Sequence, residues 1–415
     1  MRVLVMPHDL AIGGSQINAI DLAAGVAKAG HEVVVFGVRG PLVDIIHERG
    51  LEFVDAHSLS WRPAPTRIAQ LVALARRRRI DVIHTYEWST CLDAYFGPHL
   101  CLGVPLLCTV LSMSATPMVP PSVPLVMGTK DLGTEARRLQ KERVWVLEPP
   151  IDTERDNPAM EGSPFRRDLG IAEDEFLIVT VSRLSLDIKI DALVRAVDAM
   201  EELASDIPIR LAIVGGGQAS DALRARAEAL NRRVGRDVIV FAGPWLDPRT
   251  AYAAADLVLG MGSSALRALA IGRPLIVQGL NAFSVVFGPD TLPVFLRQGF
   301  FGEGECEPGA GRLARQIAEL YRAPARREAL GAYGRSVVTE RFSLARGIDL
   351  TLQMYRDVLR TPPRRNLIDA FRGGWRALKL EVENHDPRQK RRLAAFEHGL
   401  LDAARSESWP PQALR

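Results

Sequence analysis

Nowhere in this sequence do about 18 apolar residues run uninterrupted, so no membrane span is expected. The start, MRVLVMPHDL, has no charged stretch leading into an apolar core and a cleavage site; a secretory leader is not expected. No charge of one sign dominates: 52 basic and 49 acidic residues leave +3, which argues against a nucleic acid or another acidic polymer as partner. Cysteine is scarce. Cys91, Cys101, Cys108 and Cys306 have no paired metal-ligand spacing, so no metal site is expected. Three of them lie in one apolar stretch, where a buried free thiol is the expected state, and a reducing, cytoplasmic compartment fits. Aromatics are few, at 6%.

What remains is aliphatic. Hydrophobic residues make up 47% of the 415, which is ordinary for a soluble α/β enzyme of two domains. In the first part, short apolar runs at 3–6, 31–37, 81–84 and 104–110 alternate with helical spacing, as at 16–29. Runs of that kind imply a parallel sheet covered on both faces. The segment EPPIDTERDNP at 148–158 is rich in proline and charge and reads as a linker. The alternation then restarts: strands at 176–181, 210–214, 238–241, 257–259 and 274–278, and helices at 187–204, 220–234, 250–255 and 265–271. This predicts a Rossmann-like domain over 1–150, a second over 151–345, and C-terminal helices over 346–415 that return to the first domain and end in a polar tail. Two doubly wound domains in one chain imply a cleft lined by the carboxyl ends of both sheets.

Three segments stand at strand ends. Gly13, Gly14 and Ser15 follow the first strand; two glycines let a backbone approach a ligand, and a helix start favours an anion. The spacing is not that of a nicotinamide site, and a plain tight turn is the competing reading. In VSRLSLDIK, Arg183 and Lys189 follow a strand, where two cations can clamp a diphosphate leaving group; a solvated helix start is the alternative. In GMGSSALRALAIGRP, residues 260–274, the small residues Gly262, Ser263 and Ser264 precede a helix. Their amides and hydroxyls can cradle phosphate oxygens, or form one more α/β turn. His8, His84 and Glu87 are also placed at strand ends where either histidine or the carboxylate could touch a substrate, although a structural role is the commoner outcome for each. The C-terminal basic helices, with a basic run at 390–392, could meet an anionic membrane surface as a weak peripheral contact; a solvated tail packing on the N-terminal domain is the competing reading.

Taken together, these features resemble glycosyltransferase family 4, retaining enzymes of GT-B fold, over roughly residues 1–358. The pieces that carry the resemblance are the Gly13-Gly14 pair, Arg183-Leu184 with Lys189, VGGG at 214–217, Phe241-Ala242-Gly243 before Ala255-Asp256, and the run Ala268, Ala270, Gly272 and Pro274. The resemblance implies a nucleotide sugar, a UDP- or GDP-sugar, as donor substrate, with no cofactor and no metal. By it, Arg183 and Lys189 hold the donor diphosphate, Gly262, Ser263, Ser264 and Ala265 wrap the phosphates and sugar, and the loops at Gly216 and Gly243 flank the base. The acceptor is a small molecule or a glycan, with natural-product biosynthesis as one setting. Two departures stand out. The family has two glutamates eight positions apart, and Arg267 takes the second place, where it would contact phosphate or sugar instead. The stretch at 109–114, TVLSMS, lacks the histidine many members carry. A degenerate nucleotide-sugar binder without transfer activity is therefore the competing expectation.

Overall fold

The computed structural model describes residues 1–58, 61, 64–112, 115–139, 143–304 and 310–406. Two compact units emerge: residues 1–152 with 342–390, and residues 153–341 with the chain from Arg391 on. The helices Leu344–Arg360 and Leu367–His385 thus belong to the first unit, as expected, but from Arg391 the chain does not: Leu400 and Ala404 are buried in the core of the second unit.

The first unit holds seven strands: β1 Arg2–Met6, β2 Glu32–Gly37, β3 Glu52–Asp55, β4 Val82–Tyr86, β5 Leu106–Val110, β6 Leu125–Met127 and β7 Val144–Val146. Their order is β3-β2-β1-β4-β5-β6-β7, and every pairing is parallel. The side-chain period of a strand explains the unbroken apolar run in β1. Val3 and Val5 pack with Ile20, Ala23 and Val26 of the helix Gly14–Lys28. Leu4 and Met6 pack on the opposite face with Leu71, Leu74 and Ala75 of the helix Pro65–Arg78. The helix Leu344–Arg360 joins the first of these layers through Leu352, Tyr355 and Val358. It crosses so close that a Cβ on Gly25 would stand 2.1 Å from Ile348.

The second unit restarts the pattern with β8 Phe176–Val181, β9 Ile209–Val214, β10 Ile239–Gly243, β11 Leu257–Gly260, β12 Leu275–Leu280, β13 Ser284–Val286 and β14 Gly302–Glu303. The order is β10-β9-β8-β11-β12-β13, with β14 beside β12. Only β13 runs antiparallel among the described strands. Its core gathers Ile178, Leu193, Val197, Ile213, Leu223, Ile317 and Leu400.

The strand 176–181 and the helix 220–234 fall where the apolar spacing predicts. The helix predicted from 187 begins later, at Ile190. Asp187 is the reason: its carboxylate accepts from the Ser185 hydroxyl and the Lys189 amide and holds a turn there. Cys91 and Cys108 are buried free thiols, but Cys101 is exposed, against the expectation of burial. Cys306 lies outside the described residues.

Both sheets reverse their strand order beside their first strand, between β1 and β4 and between β8 and β11. In open α/β sheets, ligands settle beyond the carboxyl ends of the strands at such a point. That rule fixes where each unit carries its candidate site.

Candidate active site

In the second unit the loops after β8, β9, β10 and β11 meet at the strand ends. Gly215 and Gly217 have φ of 145° and 155°, in the region that favours glycine. They let the β9 loop lie flat on the loop that carries Arg183. A Cβ on Gly215 would stand 1.8 Å from the Ser182 carbonyl, and one on Gly217 2.5 Å from the Leu184 carbonyl. The Leu184 amide donates to the Gly216 carbonyl at 3.0 Å, and the Gly215 amide to the Gly243 carbonyl at 2.8 Å. Arg183, Gly216 and Gly243 therefore share one end of the sheet, as the sequence implies.

Lys189 stands at the end of the loop that carries Arg183, where the helix Ile190–Leu203 begins. It lines a small cavity together with Ser182, Gly260, Met261 and Ser264, so the loops after β8 and β11 converge on it. Burial pushes its ammonium down to about 8; Asp187 acts to raise it and the nearby Arg183 to lower it further. Among the described residues, neither the Arg183 guanidinium nor the Lys189 ammonium has a hydrogen-bond or ion-pair partner. Two unpaired cations in one loop repel each other and are relieved by an anion.

Gly262 opens the helix Ser263–Ala270 at φ 60° and ψ −132°, a conformation for glycine only. The Ser264 hydroxyl donates to the Met261 carbonyl and accepts from the Met261 amide, so it ties the turn. Ser263 is half-buried, and its hydroxyl has no partner among the described residues. The amides of Ser263, Ser264 and Ala265 find no carbonyl in the described chain; the first capped amide is that of Leu266, on the Gly262 carbonyl. Three such amides at a helix start, in the loop that shares a cavity with Lys189, make a setting for phosphate oxygens.

Arg267 lies farther along the same helix. Its Nε stands 3.8 Å from Oδ2 of Asp156, which is 3% exposed. Arg267 thus makes an ion pair with the segment read as a linker, a contact beyond those expected of it. Asp156 carried no sequence signal beyond lying in that charged stretch.

In the first unit, the loop after β1 is built around Gln16, which is buried. Its amide nitrogen donates to Asp9 Oδ1 at 2.7 Å and lies 3.1 Å from His8 Nε2. Its Oε1 accepts from the Ser15 hydroxyl at 2.9 Å. A Cβ on Gly13 would stand 2.4 Å from Gln16 Oε1, so any larger residue there would displace the Gln16 amide. Burial alone would raise the Asp9 carboxyl, but hydrogen bonds from His8, Gln16 and the Ala11 amide together hold it at about 2. His8 Nδ1 is buried with no hydrogen-bond partner among the described residues. Gly13, Gly14, Ser15 and His8 are thus brought together, with Asp9 and Gln16 as members that no sequence motif marks.

His84 is a correction. β4 runs on to Tyr86, so His84 is inside the sheet and 1% exposed. Its Nδ1 is 2.8 Å from the Tyr355 hydroxyl and its Nε2 2.7 Å from Thr109 Oγ1. Both ring nitrogens are engaged, so it cannot line a site. Glu87 does stand beyond β4, at φ 68°. Its carboxylate, however, accepts from the amides of Leu111 and Ser112 and from the Ser112 hydroxyl. It clasps the ends of β4 and β5 rather than offering a free carboxylate to a substrate. Residues 113 and 114 of the TVLSMS stretch lie outside the described residues.

Comparison with known proteins agrees with this layout. The model for Glycosyltransferase Family 4 matches residues 12–120, and that for Glycosyl transferases group 1 matches residues 163–337. The chain is 27% identical over 403 residues to the D-inositol 3-phosphate glycosyltransferase of Actinosynnema mirum, covering 84% of this chain and 94% of that protein. Among solved structures, a glycosyltransferase from Rickettsia africae ESF-5 superposes with a TM-score of 0.69 at 16% identity, over 86% of this chain and 98% of the other. Anabaena Alr3699/HepE in complex with UDP-glucose superposes with a TM-score of 0.67 at 15% identity, over 86% and 100%. Identities that low speak to fold alone, and the fold they share is GT-B. With one glycosyltransferase domain matched in each half, this chain belongs to the family 4 glycosyltransferases.

Proposed function

We propose that this enzyme moves a sugar from a nucleoside diphosphate donor, a UDP- or GDP-sugar, to a hydroxyl of a small-molecule or glycan acceptor, with the anomeric configuration retained. The observation that carries the reading is Lys189: an ammonium lowered to about 8, without a hydrogen-bond or ion-pair partner among the described residues, lining one cavity with the Gly260 and Ser264 loop. As the bond between the sugar and the diphosphate breaks, negative charge grows on the leaving phosphate. The Arg183 fork, the Lys189 point charge and the amides of Ser263, Ser264 and Ala265 meet that charge. The leaving phosphate oxygen takes the proton of the acceptor hydroxyl, which leaves a glycoside and a nucleoside diphosphate. In this scheme no side-chain base and no metal ion is needed. Gly216 and Gly243 flank the base, and Gly13, Gly14, Ser15 and His8 serve the acceptor side. The neighbour that binds UDP-glucose favours uridine, and the inositol phosphate glycosyltransferase favours a polyol acceptor. Free buried thiols at Cys91 and Cys108 favour the cytoplasm.

A panel of UDP-, GDP- and dTDP-sugars in thermal-shift measurements identifies the donor, and Arg183→Ala and Lys189→Ala then test the site. Both variants are expected to stay folded and lose turnover; wild-type-like turnover in both would overturn the assignment. A second reading, a nucleotide-sugar binder without transfer, is favoured by Arg267 standing where the family has a glutamate. Calorimetric binding of a donor with neither hydrolysis nor transfer would establish it.

A further inference from the structure

The helix Leu367–His385 packs on the first unit by its small residues. Ala370, Gly373 and Ala377 are buried. A Cβ on Gly373 would stand 3.2 Å from Leu92, and one on Gly374 3.1 Å from Phe96. Polar ties fix the same side. Asn366 caps the helix start, the Ser122 amide donates to Asp369, and Arg376 donates to the Pro117 carbonyl. A helix seated on a core normally turns its bulky apolar residues inward. This one turns them out: Leu367 is 74% exposed, Phe371 73%, Trp375 61% and Val382 56%, with Ile368 and Leu378 beside them. At helical spacing the six fall within an arc of about 100°.

The charges around this stripe have one sign at the surface. Between 364 and 390 all seven lysines and arginines are exposed, and none of the four acids is. Asp369 is buried, while Glu381, Glu383 and Asp386 are half-buried. Lys379 reaches Glu383 at 3.8 Å, yet Arg372, Arg388 and Lys390 have no acid within 4 Å among the described residues. A second copy of the chain is a poor occupant, because an isologous contact would set two cationic faces against each other.

We propose that this helix is a peripheral membrane anchor, with its Leu367-to-Val382 stripe at the acyl boundary and its cations on the headgroups of an anionic bilayer. Phe and Trp on the apolar face and Arg and Lys at its edges are what such a surface binds. No described helix is long and apolar enough to cross a membrane, so the attachment is to one face of the bilayer.

The test is co-sedimentation of the full chain with phosphatidylcholine vesicles, with and without phosphatidylglycerol. Binding is expected to the anionic vesicles and to weaken with added salt. The double variant Phe371→Ser, Trp375→Ser is expected to lower the partition constant at least about tenfold, since both rings leave water on binding. Changing Arg372, Arg388 and Lys390 to Gln removes a factor of about five for each cation that reaches the headgroups. All these positions are exposed, so circular dichroism should report an unchanged fold. No binding to anionic vesicles, or equal binding by the Phe371→Ser, Trp375→Ser variant, would overturn the proposal. So would a dimer in light scattering that this variant abolishes, which would assign the stripe to a second copy.

Discussion

Arg267 Nε and Asp156 Oδ2 stand 3.8 Å apart, in a pair whose carboxylate is 3% exposed. The helix Ser263–Ala270 is thereby tied to the segment that opens the second unit, and the Asp156 carbonyl accepts from Arg335 as well. Removing one member of a buried pair costs about 3–5 kcal/mol, and less where one partner keeps some contact with water, as Arg267 does. Arg267→Glu, which puts back the family's residue type, sets two carboxylates together. We expect it to lower the melting temperature more than Arg267→Met does, by several degrees at about 2–4 °C per kcal/mol, and not to raise turnover. Thermal unfolding of the two variants decides.

His84 makes a prediction about acid. Burial holds its imidazole down at about 3, so the folded chain keeps it neutral where the unfolded chain would bind a proton. The unfolded state therefore carries more protons between the ordinary histidine value and about 3, and stability falls with falling pH through that window. The slope from this one group is at most about 1.4 kcal/mol per pH unit. In His84→Gln, which can still bond Tyr355 and Thr109, that part of the acid slope should vanish while turnover stays. Denaturant melts over the window measure it.

The alternation of short apolar runs and helices made both sheets legible, because strands buried on two faces cannot be polar. The strands 125–127, 144–146, 284–286 and 302–303 gave no such signal. They are two or three residues long, too short for periodicity to register. At the site, Arg183, Lys189 and the glycines were readable since backbone approach and cation pairs are local features of a loop. Asp156, Gln16 and Asp9 were not. Asp156 meets Arg267 across more than a hundred residues, a contact only the fold creates, whereas Gln16 and Asp9 act through a turn whose geometry the GGS motif does not announce. His84 misled because β4 extends two residues beyond its apolar run, through Thr85 and Tyr86.

Gly215 should be the most sensitive glycine. A methyl group there would stand 1.8 Å from the Ser182 carbonyl, at a φ of 145° that L side chains avoid. The loop bearing Arg183 has to move to admit it. Gly215→Ala is expected to lower donor affinity and turnover by at least about tenfold, as shifts of about 1 Å at a reacting centre do. Gly235→Ala also carries a positive φ, 77°, but has open space around it. It should lose stability alone. Kinetics and thermal melts on the pair separate displacement of Arg183 from backbone strain.

Lys189 sets the alkaline limb. Its ammonium titrates at about 8 in the free enzyme, where burial opposes the charge. Only the protonated form can meet the charge on a leaving phosphate, so kcat/KM should fall as pH rises through about 8. A bound diphosphate favours the ammonium and raises its pKa, so the limb in kcat should lie at higher pH than the limb in kcat/KM. The folding linkage runs the other way. Between about 8 and the ordinary lysine value the unfolded chain holds the extra proton, so Lys189 adds stability as pH rises through that window. Lys189→Arg stays charged throughout and should erase the limb near 8 in kcat/KM. A limb that survives the change belongs to another group, and its loss ties the titration to Lys189.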